Sequence, residues 1–125
     1  MNNVKFDFKG KTILITAGTK GIGFELTKSF LDCGANVATF SRNRKNHEIL
    51  KKKLKNYIFE KKLFIFKHDL NQTNKEKLIV NKVNKYFHKN IDILVNNSGG
   101  PPPRLFLETS NKDWSRALNI NFLSA

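Results

Sequence analysis

The stretch Thr12-Ile13-Leu14-Ile15-Thr16-Ala17-Gly18-Thr19-Lys20-Gly21-Ile22-Gly23 decides how the chain is read. Thr12 to Thr16 is an apolar, β-branched run with no polar alternation, the pattern of a strand buried on both faces. Three glycines, Gly18, Gly21 and Gly23, follow at once. Beyond them Ile22, Leu26, Phe30 and Leu31 fall at helical spacing as far as Cys33, and Gly34 stops the helix. Strand, glycine turn and helix in that order form a cradle for phosphate. The turn brings backbone N–H groups and a helix N-terminus to one point, and glycine lets an anion come close.

Outward from this stretch the alternation continues. Val37 to Phe40 reads as a second strand, and Arg44 to Phe59 as a lysine-rich helix with Ile49, Leu50, Leu54 and Ile58 inside. Leu63 to Phe66 is a third strand, and Thr73 to His88 a helix with Leu78, Ile79, Val83 and Phe87 inside. Ile91 to Val95 is a fourth strand, followed by the Pro101-Pro102-Pro103 loop and an amphipathic segment from Asn111 to Ala125. Four strands separated by helices predict βαβ units and a parallel α/β sheet covered on both faces, with spatial order 3-2-1-4. The final helix is still running at Ala125, so residues 1–125 are expected to be the first half of one larger domain, truncated after the fourth strand.

Composition narrows the function classes. The chain has 125 residues, 39% of them apolar, enough for a buried core. No apolar run nears the ~18 to 20 residues of a membrane span, and Met1 to Gly10 has no secretory pattern. The single cysteine, Cys33, excludes an internal disulfide framework, and no metal site is expected. Cys33 reads as a small buried hydrophobe, and His47, His68 and His88 as scattered surface or helix-end residues. These features suggest a cytoplasmic protein. The net charge of +13 invites a nucleic-acid reading. Against it, the 19 lysines accompany 16 asparagines and are spread along outer helix faces, with one dense run at Lys51, Lys52, Lys53 and Lys55. Compositional drift explains that better.

Several motifs resemble the short-chain dehydrogenase/reductase family at family spacing. Thr16, Gly21, Ile22 and Gly23 match its T-G-x-x-x-G-I-G signature, with Ala17 where the family has its first glycine. Gly18 is therefore expected to take the positive φ that suits Ala17 poorly. Asp69-Leu70 is similar to the family's acidic-apolar pair beside the adenine ring. Asn96-Asn97-Ser98-Gly99 resembles N-N-A-G, and Trp114 to Asn121 the stretch ending in the active-site asparagine. Gly99 to Pro103 is similar to bacterial 3-oxoacyl-reductase-like members.

The resemblance implies a Rossmann-like doubly wound fold and an oxidoreductase reducing a carbonyl to an alcohol. It assigns cofactor binding to Ala17, Gly18, Thr19, Lys20, Gly21, Ile22, Gly23, Ser41, Arg42, Asp69, Leu70, Asn97, Ser98 and Gly99, and a catalytic role to Asn121. It implies a homo-oligomer of the full-length protein. NAD-specific folds carry an acid about 20 residues past the glycine loop. Here Ser41-Arg42 stands there, and a guanidinium suits a 2′-phosphate, so NADP(H) is expected before NAD(H). The family's catalytic serine and Tyr-x-x-x-Lys would lie beyond Ala125. Tyr57-x-x-x-Lys61 occurs by chance in a lysine-rich chain and precedes the third strand, away from the nucleotide side. A non-catalytic nucleotide-binding module is the alternative reading.

Overall fold

The computed structural model describes residues 6–72, 74–100 and 102–124. Four strands form one parallel sheet: β1 (Thr12–Ile15), β2 (Asn36–Ser41), β3 (Leu63–Lys67) and β4 (Ile93–Val95). Their order is β3-β2-β1-β4, as the crossover rule predicts. Ile13 pairs with Val37 on one side and Ile93 on the other, and Val37 pairs onward with Leu63.

The central strands are continuous apolar runs because both faces are covered. One face carries Ile13, Ile15, Val37 and Leu63 into a core closed by Leu31, Leu50 and Leu54. The other carries Leu14, Ala38, Phe40 and Phe66 against Val83. The helices are α1 (Gly21–Asp32), α2 (Arg44–Lys53), α3 (Lys55–Phe59), α4 (Glu76–Phe87) and α5 (Asn111–Leu118). A 3₁₀ turn spans Phe106–Glu108, and α5 runs into a π-helical turn over Asn119–Leu123.

Several sequence expectations need correction. The helix read over 44–59 breaks at Leu54, whose φ and ψ of −117° and 32° end α2 while its side chain enters the core. The buried stripe of α2 is His47 and Leu50, continued by Leu54, so Ile49 is left 45% exposed. In α4, Val83 is buried with Ile79 and Phe87 beside it, and Leu78 faces out. In α1 the buried positions are Gly23, Thr27 and Leu31, which turns Ile22 outward. The fourth strand begins at Ile93 rather than Ile91; just ahead of it Asp92 is tied to Thr12 both ways, its Oδ2 accepting from Thr12 N and its own N–H donating to Thr12 O, each at 2.8 Å. His47 is buried, not on the surface, and His68 is half-buried with its ring edge-on to Phe40. Thr73, Pro101 and Ala125 lie outside the described residues, as do Met1 to Lys5. The helix expected from Thr73 is described from Glu76.

Candidate active-site cleft

Parallel strands deliver their C-terminal ends to one edge of the sheet, and the loops there enclose a cleft of about 1050 Å³. β1 delivers the glycine loop, β2 delivers Ser41 and Arg42, β3 delivers Asp69 and Leu70, and β4 delivers Asn97 to Gly99. Asn121 lines the far wall from the π-helical turn. Of the residues singled out in the sequence, Ala17, Thr19 to Gly23, Ser41, Arg42, Asp69, Leu70, Asn97 to Gly99 and Asn121 all line this space. Gly18 does not, because it is buried beneath the loop.

The loop's conformation departs from expectation. Ala17 itself takes the positive φ, at 50°, and Gly21 follows at 55°, while Gly18 has none. Gly18 serves close approach instead. A Cβ there would stand 2.4 Å from Thr39 Oγ1 and 2.7 Å from Thr27 Oγ1. Those two hydroxyls hold the loop: Gly18 N donates to Thr39 Oγ1 at 2.9 Å, and Thr27 Oγ1 donates to Gly18 O at 3.0 Å. Thr39 Oγ1 in turn donates to Ile15 O at 2.8 Å, tying β2 to β1 under the turn. With its backbone fastened on both sides of the kink, the turn tolerates an alanine in the left-handed region.

Asn97 clamps the loop from β4. Its side-chain amide donates to Thr16 O at 3.0 Å and Ala17 O at 3.2 Å. Thr16 Oγ1 donates to Asn97 O at 2.5 Å and accepts from Asn97 N at 2.8 Å. Gly23 is required by this packing, since a Cβ there would meet Asn97 Nδ2 at 2.6 Å.

Helix α1 opens onto the cleft with no side-chain cap and no acidic residue in its first turn. By contrast, Asn43 caps α2, and a Ser110–Asp113 capping box closes α5. The first N–H groups of α1 are thus left for an acceptor from outside the chain, at the positive end of the helix dipole. A Cβ at Gly21 would meet nothing within 4 Å, so the approach is open. These features fit the phosphates of a dinucleotide. The described residues contain no cluster of metal-ligating side chains.

Arg42 lies at the end of β2, half-exposed, with Nε 3.9 Å from Asp69 Oδ1. That is an ion-pair distance and not a hydrogen bond. Asp69 Oδ1 also accepts from Asn71 N at 3.0 Å and Asn71 Nδ2 at 2.9 Å. On the opposite wall, Ser98 Oγ donates to Asn121 Oδ1 at 2.5 Å and Asn121 Nδ2 donates to Ala117 O at 3.0 Å, so both ends of the amide are held.

Sequence reasoning missed some of the wall. Phe40, His68 and Arg104 also line the cleft, and so do Trp114 and Arg116 from the stretch that ends at Asn121, where only Asn121 was given a role. Arg104 sits 3.5 Å from Asp113 Oδ2. Only the signal that they follow strand ends or share the helix of Asn121 could have marked them. Asp92 lies at the opposite edge of the sheet, paired with Lys11 at 3.5 Å, and has a structural role. Tyr57 also lies elsewhere: its hydroxyl donates to Asp32 Oδ1 at 2.5 Å. That bond to a carboxylate pushes the phenol up to about 12, the wrong direction for a proton-transfer tyrosine at neutral pH. Lys51 to Lys53 occupy the last turn of α2, where cations complement the dipole, and line no part of the cleft.

The profile of the family described as short chain dehydrogenase matches residues 11–125. A dehydrogenase/reductase SDR family member 4 from Caenorhabditis elegans is 36% identical over 115 residues, covering 91% of this chain and 44% of that protein. A 3-oxoacyl acyl-carrier-protein reductase from Chlamydia pneumoniae is 31% identical over 116 residues, covering 92% of this chain and 45% of its own length. A short-chain dehydrogenase/reductase crystal structure from Brucella melitensis superposes with a TM-score of 0.85 at 26% identity, over 97% of this chain and 50% of that one. The chain therefore spans about half the length of the relatives it matches. A family profile over nearly every residue, relatives by sequence and the same parallel sheet agree: this chain belongs to the short-chain dehydrogenase family.

Proposed function

We propose that residues 1–125 form the cofactor-binding half of an NADP(H)-dependent oxidoreductase that reduces a small-molecule carbonyl to an alcohol, with 3-oxoacyl thioesters as the first substrate class to test. The observation that carries the cofactor choice is the end of β2. There Ser41 and Arg42 face the cleft, and no carboxylate follows in the strand-to-helix turn through Asn43. A ribose 2′-OH wants a carboxylate acceptor, whereas a 2′-phosphate wants donors and positive charge. Arg42 supplies a planar fork of donors, and Lys20 adds a second cation from the glycine loop.

When bound, the cofactor supplies the hydride. The chain's own residues do the rest of the work on this side of the site. The α1 N-terminus and the loop from Thr19 to Gly23 hold pyrophosphate, Asp69 and Leu70 flank the adenine, and Ser98 and Gly99 line the path toward Asn121. Asn121, its amide fixed by Ser98 and Ala117, supports the proton relay. The tyrosine and lysine that move the proton would come from residues beyond 125. One free cysteine fits a reducing, cytoplasmic setting. No helix among the described residues is long and apolar enough to cross a membrane.

The test is a fluorescence titration of the full-length protein with NADPH and NADH. NADPH is expected to bind more tightly, and Arg42→Ala to reduce that preference by one to two decades, the worth of a charge-assisted pair of roughly 1.5 to 3 kcal/mol. Equal affinities in the parent protein would end the NADP reading.

A further inference from the structure

Behind the wall of the cleft lies a group that the cofactor site as described so far does not use. His47, on α2, is only 6% exposed and does not line the cleft. Its Nε2 stands 3.1 Å from Ser41 O and 2.9 Å from Ser41 Oγ. Ser41 lines the cleft beside Arg42. The geometry points to His47 as a positioning residue for NADP(H) selectivity: its Nε2–H sets the polarity of the Ser41 hydroxyl so that the hydroxyl donates its proton into the cleft, toward a 2′-phosphate. This rests on the NADP(H) reading above and names one more residue behind it.

The chemistry follows from the carbonyl. Ser41 O can only accept, so the Nε2 facing it must carry the hydrogen. That N–H is shared with Ser41 Oγ, which accepts from it. A serine hydroxyl whose oxygen already accepts from a buried N–H keeps its own hydrogen for another partner. A 2′-phosphate offers only acceptors at neutral pH, so it takes that hydrogen. The opposite tautomer would draw the Ser41 hydrogen back onto Nε2 and leave a lone pair facing the phosphate. Burial pushes the His47 imidazole below its usual range, against the upward pull of the Ser41 carbonyl, so the ring is neutral at physiological pH and has one N–H to place. The backbone bond also fixes the end of β2, from which both Ser41 and Arg42 project.

The experiment uses the full-length protein and two probes, adenosine 2′,5′-bisphosphate and adenosine 5′-monophosphate, titrated by calorimetry. Their affinity ratio isolates the 2′-phosphate. His47→Leu is expected to lower that ratio roughly 3- to 10-fold, one hydrogen bond's worth. His47→Gln, whose amide nitrogen can donate to the same two oxygens, is expected to restore most of it. In a Ser41→Ala background His47→Leu should change the ratio much less, because the hydroxyl is gone and only the bond to the residue-41 carbonyl is left to lose. A purely structural histidine would cost the same in both backgrounds.

Should His47→Leu fail to fold, ¹⁵N-histidine NMR of the parent gives a direct answer. The inference expects a protonated Nε2 and a bare Nδ1 for His47, and the other tautomer overturns it. A parent that prefers the bisphosphate, with a ratio unmoved by His47→Leu, overturns this inference and leaves the NADP(H) reading standing. A parent with no preference overturns both.

Discussion

The two walls of the cleft are built to different standards. The wall made by β1, β2 and the loop to α1 rests on side chains with almost no exposure: Ile13, Ile15, Val37, Ala38 and Thr39 are each 0% exposed. The wall made by β4, α5 and the π-helical turn contains no buried residue among those described from Ile93 to Ser124. Ile93 and Val95 are partly buried against the core, but much of its apolar surface is exposed, with Leu94 54%, Trp114 50%, Leu118 57% and Phe122 74% exposed. β4 pairs with β1 alone and forms an edge of the described sheet. The glycine-loop side is thus held by core packing and by hydrogen bonds that cross between strands. The Asn121 side is held by local helix bonds, the half-exposed Arg104–Asp113 ion pair and the side-chain bridge from Ser98. Positioning of the glycine loop is a property of residues 12–67 with the Asn97 clamp; positioning of Asn121 calls for packing that the described residues do not provide.

The largest expected effect breaks the well-built wall. Gly18→Ala puts a methyl group 2.4 Å from Thr39 Oγ1, and the β-branched Thr39 is held by its bond to Ile15 O. Overpacking of this kind costs roughly 1 to 3 kcal/mol, and here the upper end is expected because Thr27 blocks the other direction at 2.7 Å. Gly99→Ala, on the opposite wall, meets nothing within 4 Å and should stay within about 0.5 kcal/mol of the parent. Urea unfolding of both variants checks the pair. Equal losses would mean that the two walls do not differ as their packing says.

The next effect is smaller and local. Ser110 accepts from Asp113 N at 3.3 Å, and Asp113 Oδ2 accepts from Ser110 N at 3.1 Å, closing the capping box of α5. Ser110→Ala should cost that helix about 1 kcal/mol, or roughly fivefold faster amide exchange over Asn111–Leu118. The β1 and β2 amides should not change, because α5 opens without the core. Hydrogen exchange on the parent and variant is the measurement. A coupled speeding of exchange in β1 would show one cooperative unit where the burial shows two.

The same contrast explains what the sequence made legible. The strands and their order could be read because Thr12 to Ile15 and Val37 to Phe40 must be apolar throughout to be covered on both faces. The cleft residues could be read because parallel strands can only deliver their following loops to one edge. What failed was finer than the pattern. Ile22, Ile49 and Leu78 were assigned inward because spacing fixes a stripe only to within a residue or so, and the stripes of α1 and α2 are set by Gly23, Thr27 and His47, types that do not read as core. His47 enters the core because its ring has a specific acceptor in Ser41 O, a long-range fact invisible to periodicity. Ala17 at φ 50° was missed for a similar reason: intrinsic preference argued for glycine, and the surrounding bonds from Asn97 and Thr39 overrule it.

The smallest effect sharpens the well-built side at its outer rim, where α1 meets α3. Asp32 accepts from Lys28 Nζ and from Tyr57 Oη, and these bonds hold its carboxyl below the usual range, while the bond to Asp32 pushes Tyr57 up to about 12. For Tyr57 the folded value exceeds the unfolded one of about 10, so its contribution is complete below pH 10 and is lost as pH rises through 12. For Asp32 the folded value is depressed, so its contribution is complete above the ordinary carboxylate range and is lost as pH falls through the lowered value. Water screens this pair, and its worth stays below about 1 kcal/mol. Lys28, whose charge Asp32 holds in place, also loses its bond to Asp32 at high pH, so the quantity to measure is the difference in urea midpoint between the parent and Tyr57→Phe. That difference should be flat from pH 7 to about 10 and should shrink toward zero by about 12. The late tyrosinate absorbance step should vanish in Tyr57→Phe and move to lower pH in Asp32→Asn, where the charge that holds the proton is gone. A difference unchanged at pH 12 would mean that the hydroxyl stabilises α3 by packing alone, and that the rim owes nothing to the carboxylate.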